Sequence, residues 1–239
     1  MFKSADWITL QKTVDLRESA EYRKRRAELH QAEIELMRQR ERVAEMRRAL
    51  PAGAAVKEDY VFQEGPTDLA SDDKPVRQVR LSELFTAPNR SLVIYHFMYG
   101  KGQKRACPMC TMWIDGFDGV AHHLAENVDF AIAAAADLTT LREHARRRGW
   151  RALRLLSCGD NSFKSDFASE DKNGNQHATI TVFTRDADGN IRHFYTTHPN
   201  MSDEIDQRGI DLICPVWHVL DLTPEGRDDW YAELEYGER

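Results

Sequence analysis

The run Leu92-Val93-Ile94-Tyr95-His96-Phe97-Met98 leads through Gly100 and Gly102 to Cys107-Pro108-Met109-Cys110, and this join constrains the chain most. Apolar and β-favouring residues over that length, bounded by glycines, predict a buried strand; the apolar spacing after Cys110 predicts a helix. Cys107 therefore stands at a helix start, where unpaired N–H groups and the helix dipole favour negative charge. A thiolate is the form of cysteine that attacks disulfides, so Cys107 is the candidate nucleophile. Pro108 suits the first helical position, and Lys104 and Arg105 add positive charge upstream. Three residues on, Cys110 returns to nearly the same face and is the candidate resolving thiol.

A C-x-x-C pair is also half of a zinc site. Structural zinc usually takes four ligands, commonly from a second spaced pair. None exists here: Cys158 and Cys214 stand alone, and His122-His123 are adjacent. The redox reading requires neither metal nor cofactor, while a metal-binding C-x-x-C stays open as its rival.

The net charge of −6 gives no electrostatic case for nucleic acid or an anionic membrane. No apolar stretch has the length to span a bilayer, and Met1 to Leu10 lacks the order of a signal peptide. Four cysteines in 239 residues do not make a secreted disulfide framework, so the cytoplasm is the expected compartment.

From about Val14 to Leu50 there is no Gly or Pro, and Glu, Arg, Ala and Leu dominate, predicting one long helix ended by Pro51 and Gly53. Tyr22, Leu29, Leu36, Val43 and Leu50 recur every seven residues, flanked by Ala32 and Met46 and interrupted by Arg25 and Gln39. The stripe leaves two readings open, packing on the chain's own domain or a homodimer through the helix. Arg23-Lys24-Arg25-Arg26 reads as part of a solvated face. The expected division is residues 1–51 as a helical extension and 52–239 as the main domain.

In the connecting region, Tyr60 to Phe62 and Lys74 to Arg80 are candidate strands, and Leu81 to Phe85 is a helical turn capped by Ser82. Beyond the cysteines, Met112, Phe117, Val120, Ala121 and Leu124 keep helical spacing, with Gly116 and Gly119 marking a kink or close packing. Val128 to Ala136 is a buried strand, Leu138 to Arg148 a helix with a basic outer side, and Leu153 to Ser157 a further strand. Thr179 to Thr184 and Ile191 to Thr197 form a hairpin across Asp186 to Asn190. Parallel strand–helix alternation followed by an antiparallel hairpin, with the cysteines after the first core strand, is the plan of a thioredoxin-like α/β fold.

Tyr95 to Met98, the Cys107 to Cys110 motif, Asp115-Gly116-Phe117-Asp118-Gly119, Gly149-Trp150 and Leu220 to Arg227 together resemble a largely bacterial thioredoxin-like family catalogued as a domain of unknown function. The similarity runs from Arg47-Arg48-Ala49-Leu50-Pro51 to the C-terminus. Members are often labelled dithiol-disulfide isomerases by analogy. The resemblance implies the fold and a redox pair, and leaves the partner open. Thioredoxins place a cis-proline before the hairpin's first strand; Gln176-His177-Ala178-Thr179-Ile180 has none. The thioredoxin tryptophan beside the first cysteine is replaced by Ala106, with Trp113 one turn further along. A peroxidase of the peroxiredoxin type wants Thr or Ser three residues before its nucleophile and Pro four before that, where this chain has Lys104 and Gly100.

Cys158, at a strand end, is a candidate third redox thiol or a buried structural one, and Cys214 has the same structural alternative. His96 reads as a core histidine and His122 and His123 as helix-surface residues. Phe163, Phe167, Trp217 and Trp230 read as packing groups. The expected activity is thiol–disulfide exchange on a protein or small-molecule disulfide. Its rival is a non-catalytic binding or redox-sensing protein that assembles through the helix.

Overall fold

The computed structural model describes residues 18–202 and 208–237. The chain divides into two compact parts, Met1–Pro51 and Ala52–Arg239.

In the first part lies α1 (Ala20–Arg48). It starts at Ala20, where Ser19 caps it, its hydroxyl accepting the Tyr22 N–H at 3.0 Å. The expectation for residues 14–17 lies outside the described residues. Arg25 pairs with Glu21 and Glu28, Arg26 with Glu33, and Arg48 with Glu41, which makes the basic run a solvated face. No residue of α1 is buried, and Tyr22, Leu29, Leu36, Met46 and Leu50 along the stripe are exposed.

Among the described residues, the second part is built on a sheet of seven strands: β1 (Val61–Glu64), β2 (Arg77–Arg80), β3 (Leu92–His96), β4 (Asp129–Ala134), β5 (Arg154–Ser157), β6 (Thr179–Arg185) and β7 (Ile191–Thr197). Their order is β2-β1-β5-β4-β3-β6-β7. β3, β4 and β5 are mutually parallel, with α2 (Pro108–Asn127) and α3 (Leu138–Arg148) as the two crossovers. β6 joins β3 antiparallel and turns back into β7, while β1 and β2 extend the β5 edge antiparallel. The fold is thioredoxin-like, as expected. β3 and β4 are central because apolar residues cover both their faces, as parallel strands between layers require.

Alternation along these strands separates two cores. Tyr95, Phe97, Ile132 and Ala134 join Cys110, Trp113, Ile114 and Phe117 of α2. Leu92, Ile94, Ala131 and Ala133 face Phe62, Leu84, Phe183 and Phe163, the last from the short helix α4 (Phe163–Asp166).

Several local expectations are corrected. Strand β1 starts one residue later and β2 three residues later than predicted, because pairing runs only from Val61↔Arg80 to Glu64↔Arg77. Ser82 does not cap the turn Leu81–Leu84: its N–H and hydroxyl both go to Asp59, and the Glu83 carboxylate accepts the Arg80 N–H at 2.7 Å. Helix α2 runs unbroken. Its buried stripe is Cys110, Trp113, Ile114, Phe117 and Ala121, with Val120 exposed, and a side-chain carbon would fit at both Gly116 and Gly119, so neither marks close packing. Helix α3 has the predicted bounds, capped by Asp137 and closed by Gly149 at φ 75°. Its basic side is not all solvent-facing. Arg142 is 1% exposed and binds Asp73, Pro66 O and Asp68 O, and Arg146 binds Leu69 O, so both hold the loop before β2.

Candidate active site

Cys107 is the N-cap of α2, with φ −62° and ψ 122°, and Pro108 occupies the first turn. Its own N–H donates to Met98 O at 3.1 Å, tying the helix start to the end of β3. Thr111 locks the cap, its N–H and hydroxyl donating to Cys107 O at 3.0 and 2.9 Å. The Cys110 N–H donates to Cys107 Sγ at 3.4 Å. Both cysteines are free thiols, Cys107 half-buried and Cys110 fully buried beneath it.

The two sulfurs are driven apart electrostatically. Cys107 is lowered from 9.0 to about 6: the Cys110 thiol donates to its thiolate, as do the Cys110 and Met109 amides and the Tyr231 hydroxyl, against the opposing effect of burial. Cys110 is raised well above an ordinary thiol, first by burial and then by its bond to Cys107 and the charge there. The Tyr95 hydroxyl and the Met98 N–H act in the other direction on Cys110. A half-buried, acidic sulfur thus lies beside a fully buried one that holds its proton, an arrangement suited to thiol–disulfide exchange.

Lys104 and Arg105 are exposed, and neither is among the main influences on Cys107; the helix start, Cys110 and Tyr231 supply the stabilisation. Trp113 is a core residue at 3% exposure, packed beside Cys110 rather than presented to a ligand. Cys158 is in the other core, its thiol donating to Ala134 O at 3.2 Å and pushed up to about 12 by burial. Cys214 is buried before α5 (Pro215–Leu220), close enough to bear electrostatically on Tyr95, as Cys110 and Cys107 also do. His96 is a satisfied core histidine, bonded to Thr181 Oγ1 at 3.0 Å and Ser169 Oγ at 2.7 Å. His122 and His123 are exposed on α2. Among the described residues, no three His, Cys, Asp or Glu side chains converge as a metal site. None of the described helices is long and apolar enough to cross a membrane.

Sequence reasoning missed Tyr231 and Tyr95. Tyr231 lies far along the chain in an irregular segment with no local signal. Tyr95 was legible only as a strand residue, although its place in the run ending above Cys107 was the available cue.

The other motifs brace this site. Asp115 of α2 accepts the Trp150 indole N–H at 2.7 Å and pairs with Arg148, whose guanidinium also reaches Leu234 O. Asp118 accepts the Arg151 and Ala152 amides, both at 2.9 Å. In the C-terminal segment Arg227 bridges Asp211 and Asp221 and lies over the Trp217 ring, which meets Trp230 edge-on. A cavity of about 650 Å³ lies between this segment and α2, lined by Met112, Gly116, Pro215 and Trp230. A second, of about 470 Å³, is lined by Met98, Ala178, Thr179 and His198 at the start of β6.

Solved structures similar to this chain include a cysteine-to-serine mutant of Xanthomonas campestris peroxiredoxin Q, with a TM-score of 0.43 and 14% identity over 59% of this chain and 85% of that one. Enterococcus faecalis AhpC has a TM-score of 0.46 and 11% identity over 75% and 98% of the two chains. The mitochondrial 2-Cys peroxiredoxin of Plasmodium falciparum has 0.44 and 11% over 71% and 95%. Similarity at this level concerns the fold alone. No curated protein matches the chain. The model of a family described as "Bacterial protein of unknown function (DUF899)" matches residues 11–237.

Proposed function

We propose, for a chain that belongs to the DUF899 family, a thiol–disulfide oxidoreductase in which Cys107 attacks and Cys110 resolves. The observation that carries this reading is the stacked pair itself: a half-buried Cys107 sulfur receiving the Cys110 amide at the helix start, over a fully buried Cys110. The Cys107 thiolate attacks one sulfur of a substrate disulfide and forms a mixed disulfide, and the other substrate sulfur leaves as a thiolate. Once Cys107 is in the mixed disulfide, its negative charge no longer opposes ionisation of Cys110. Cys110 then loses its proton to solvent and attacks Cys107 Sγ, closing the internal disulfide and releasing the second substrate thiolate. The two substrate sulfurs are reduced and the protein pair is oxidised by two electrons.

Equilibration in graded dithiothreitol redox buffers with mass-spectrometric mapping tests this. One two-electron transition confined to Cys107 and Cys110 is expected. Cys107→Ser should abolish exchange, and Cys110→Ser should accumulate the mixed disulfide. Full exchange activity in Cys107→Ser would refute the assignment. A second reading, assembly through α1, is supported by its exposed apolar stripe. It predicts little turnover. Stoichiometric zinc on purification would instead favour the metal-binding rival.

A further inference from the structure

Lys164, on α4, is 2% exposed, and its ammonium nitrogen donates to Phe97 O at 3.0 Å. Phe97 O belongs to the same peptide group as the Met98 N–H, which acts on the Cys110 sulfur. A cation on the oxygen of a peptide polarises it and strengthens the N–H as a donor at its other end. One planar amide thus connects a buried charge in one core to the buried sulfur in the other.

A buried ammonium is costly unless negative charge offsets it: burial lowers Lys164, and Cys158, Cys110 and Glu170 act in the other direction. The groups that face Lys164 are Cys158, Cys110, Glu170 and His96. Cys158 is protonated, donating to Ala134 O. Glu170 is half-exposed and occupied by the Gln176 amide at 2.7 Å. His96 is kept neutral by its burial and by the Lys164 charge itself. Cys158 and Cys110 are the two fully buried thiols that face this cation, and of the two it is Cys110 whose ionisation the resolving step above requires. The Lys164 backbone is pinned for the role, since both the N–H and the hydroxyl of Ser169 donate to its carbonyl, at 2.7 and 2.9 Å.

We propose that Lys164 is a positioning charge for the resolving step: through the Phe97–Met98 peptide its ammonium favours the Cys110 thiolate that attacks the mixed disulfide on Cys107. The proposal rests on the oxidoreductase reading above. The proton on Cys110 passes to solvent, the Cys107–Cys110 bond forms as the bond from Cys107 to the substrate breaks, and the departing sulfur keeps the electron pair.

Stopped-flow reaction of the reduced full chain with dithiobis-nitrobenzoate separates the two steps. The first coloured thiolate released reports attack by Cys107, and the second reports attack by Cys110. K164Q keeps an amide donor without the charge, and K164M keeps only the apolar stem. Both should slow the second phase by about tenfold at neutral pH and raise its pH midpoint by about one unit, leaving the first phase unchanged. An unchanged second phase in a variant that keeps its native circular dichroism overturns the proposal, and so does equal loss of both phases, which marks a structural role. K164R, which keeps the charge, should retain the second-phase midpoint of the unaltered chain, and a shift equal to that of K164Q overturns the proposal. Absence of any first phase in the unaltered chain would overturn the oxidoreductase reading instead.

Discussion

Cys107 owes its acidity to donors collected from three places: its own helix start, the buried thiol of Cys110 and the hydroxyl of Tyr231. Its alkylation rate by iodoacetamide should therefore rise with a midpoint near 6. Tyr231→Phe should move that midpoint up by a fraction of a unit, because one donor to the thiolate is lost. The sign of the stability linkage follows. With the folded value depressed from 9.0 to about 6, the contribution of Cys107 is fully present above 9.0 and is lost as pH falls through about 6. Urea denaturation of the reduced protein should show its stability relative to Cys107→Ser rising between these limits. Cys107, Pro108 and Cys110 were legible in the sequence because capping chemistry is local. Tyr231 and Lys164 were not, because long-range folding brings them to the site.

Helix α2 carries the nucleophile at one end and its fastenings in the middle. Asp115 and Asp118 read in the sequence as parts of a Gly-rich motif, and their physical meaning is tertiary. They attach α2 to the turn after α3, through Arg148, Trp150 and two backbone amides. Asp118→Ala leaves two partly solvated amides without their acceptor and should cost about 1–2 kcal/mol. Asp115→Ala removes the partner of both a guanidinium and a buried indole and should cost more, about 2–3 kcal/mol. Urea denaturation measures both, and equal small losses would show that these carboxylates do not brace the helix. The bounds of α3 were readable from the sequence because Asp137 and Gly149 are local stop signals. The burial of Arg142 was not, since it depends on carbonyls and a carboxylate in the loop before β2.

On the scale of the molecule, the sheet order sets the pair at the C-terminal end of the interior strand β3, with the hairpin of β6 and β7 on one flank and β4 on the other. Helix α1 raises a different question, since its seven-residue apolar stripe is exposed at Leu29 and Leu36. If two copies pair through it, sedimentation of the full chain should give a dimer, and Leu29→Glu with Leu36→Glu should give a monomer with thiol exchange intact. A monomeric unaltered chain would refute pairing. By itself the sequence determined the thioredoxin-like plan, the position of Cys107 at a helix start and the long helix. Those features depend on periodicity, capping residues and strand–helix alternation, which act over a few residues. Tertiary structure alone decided which thiol is buried, why Cys158 stands apart from the pair, how Tyr231 and Tyr95 face it, and how Lys164 reaches the Phe97 carbonyl. The reason is physical: burial and electrostatic fields depend on groups the sheet brings together from distant segments, and no local pattern records them.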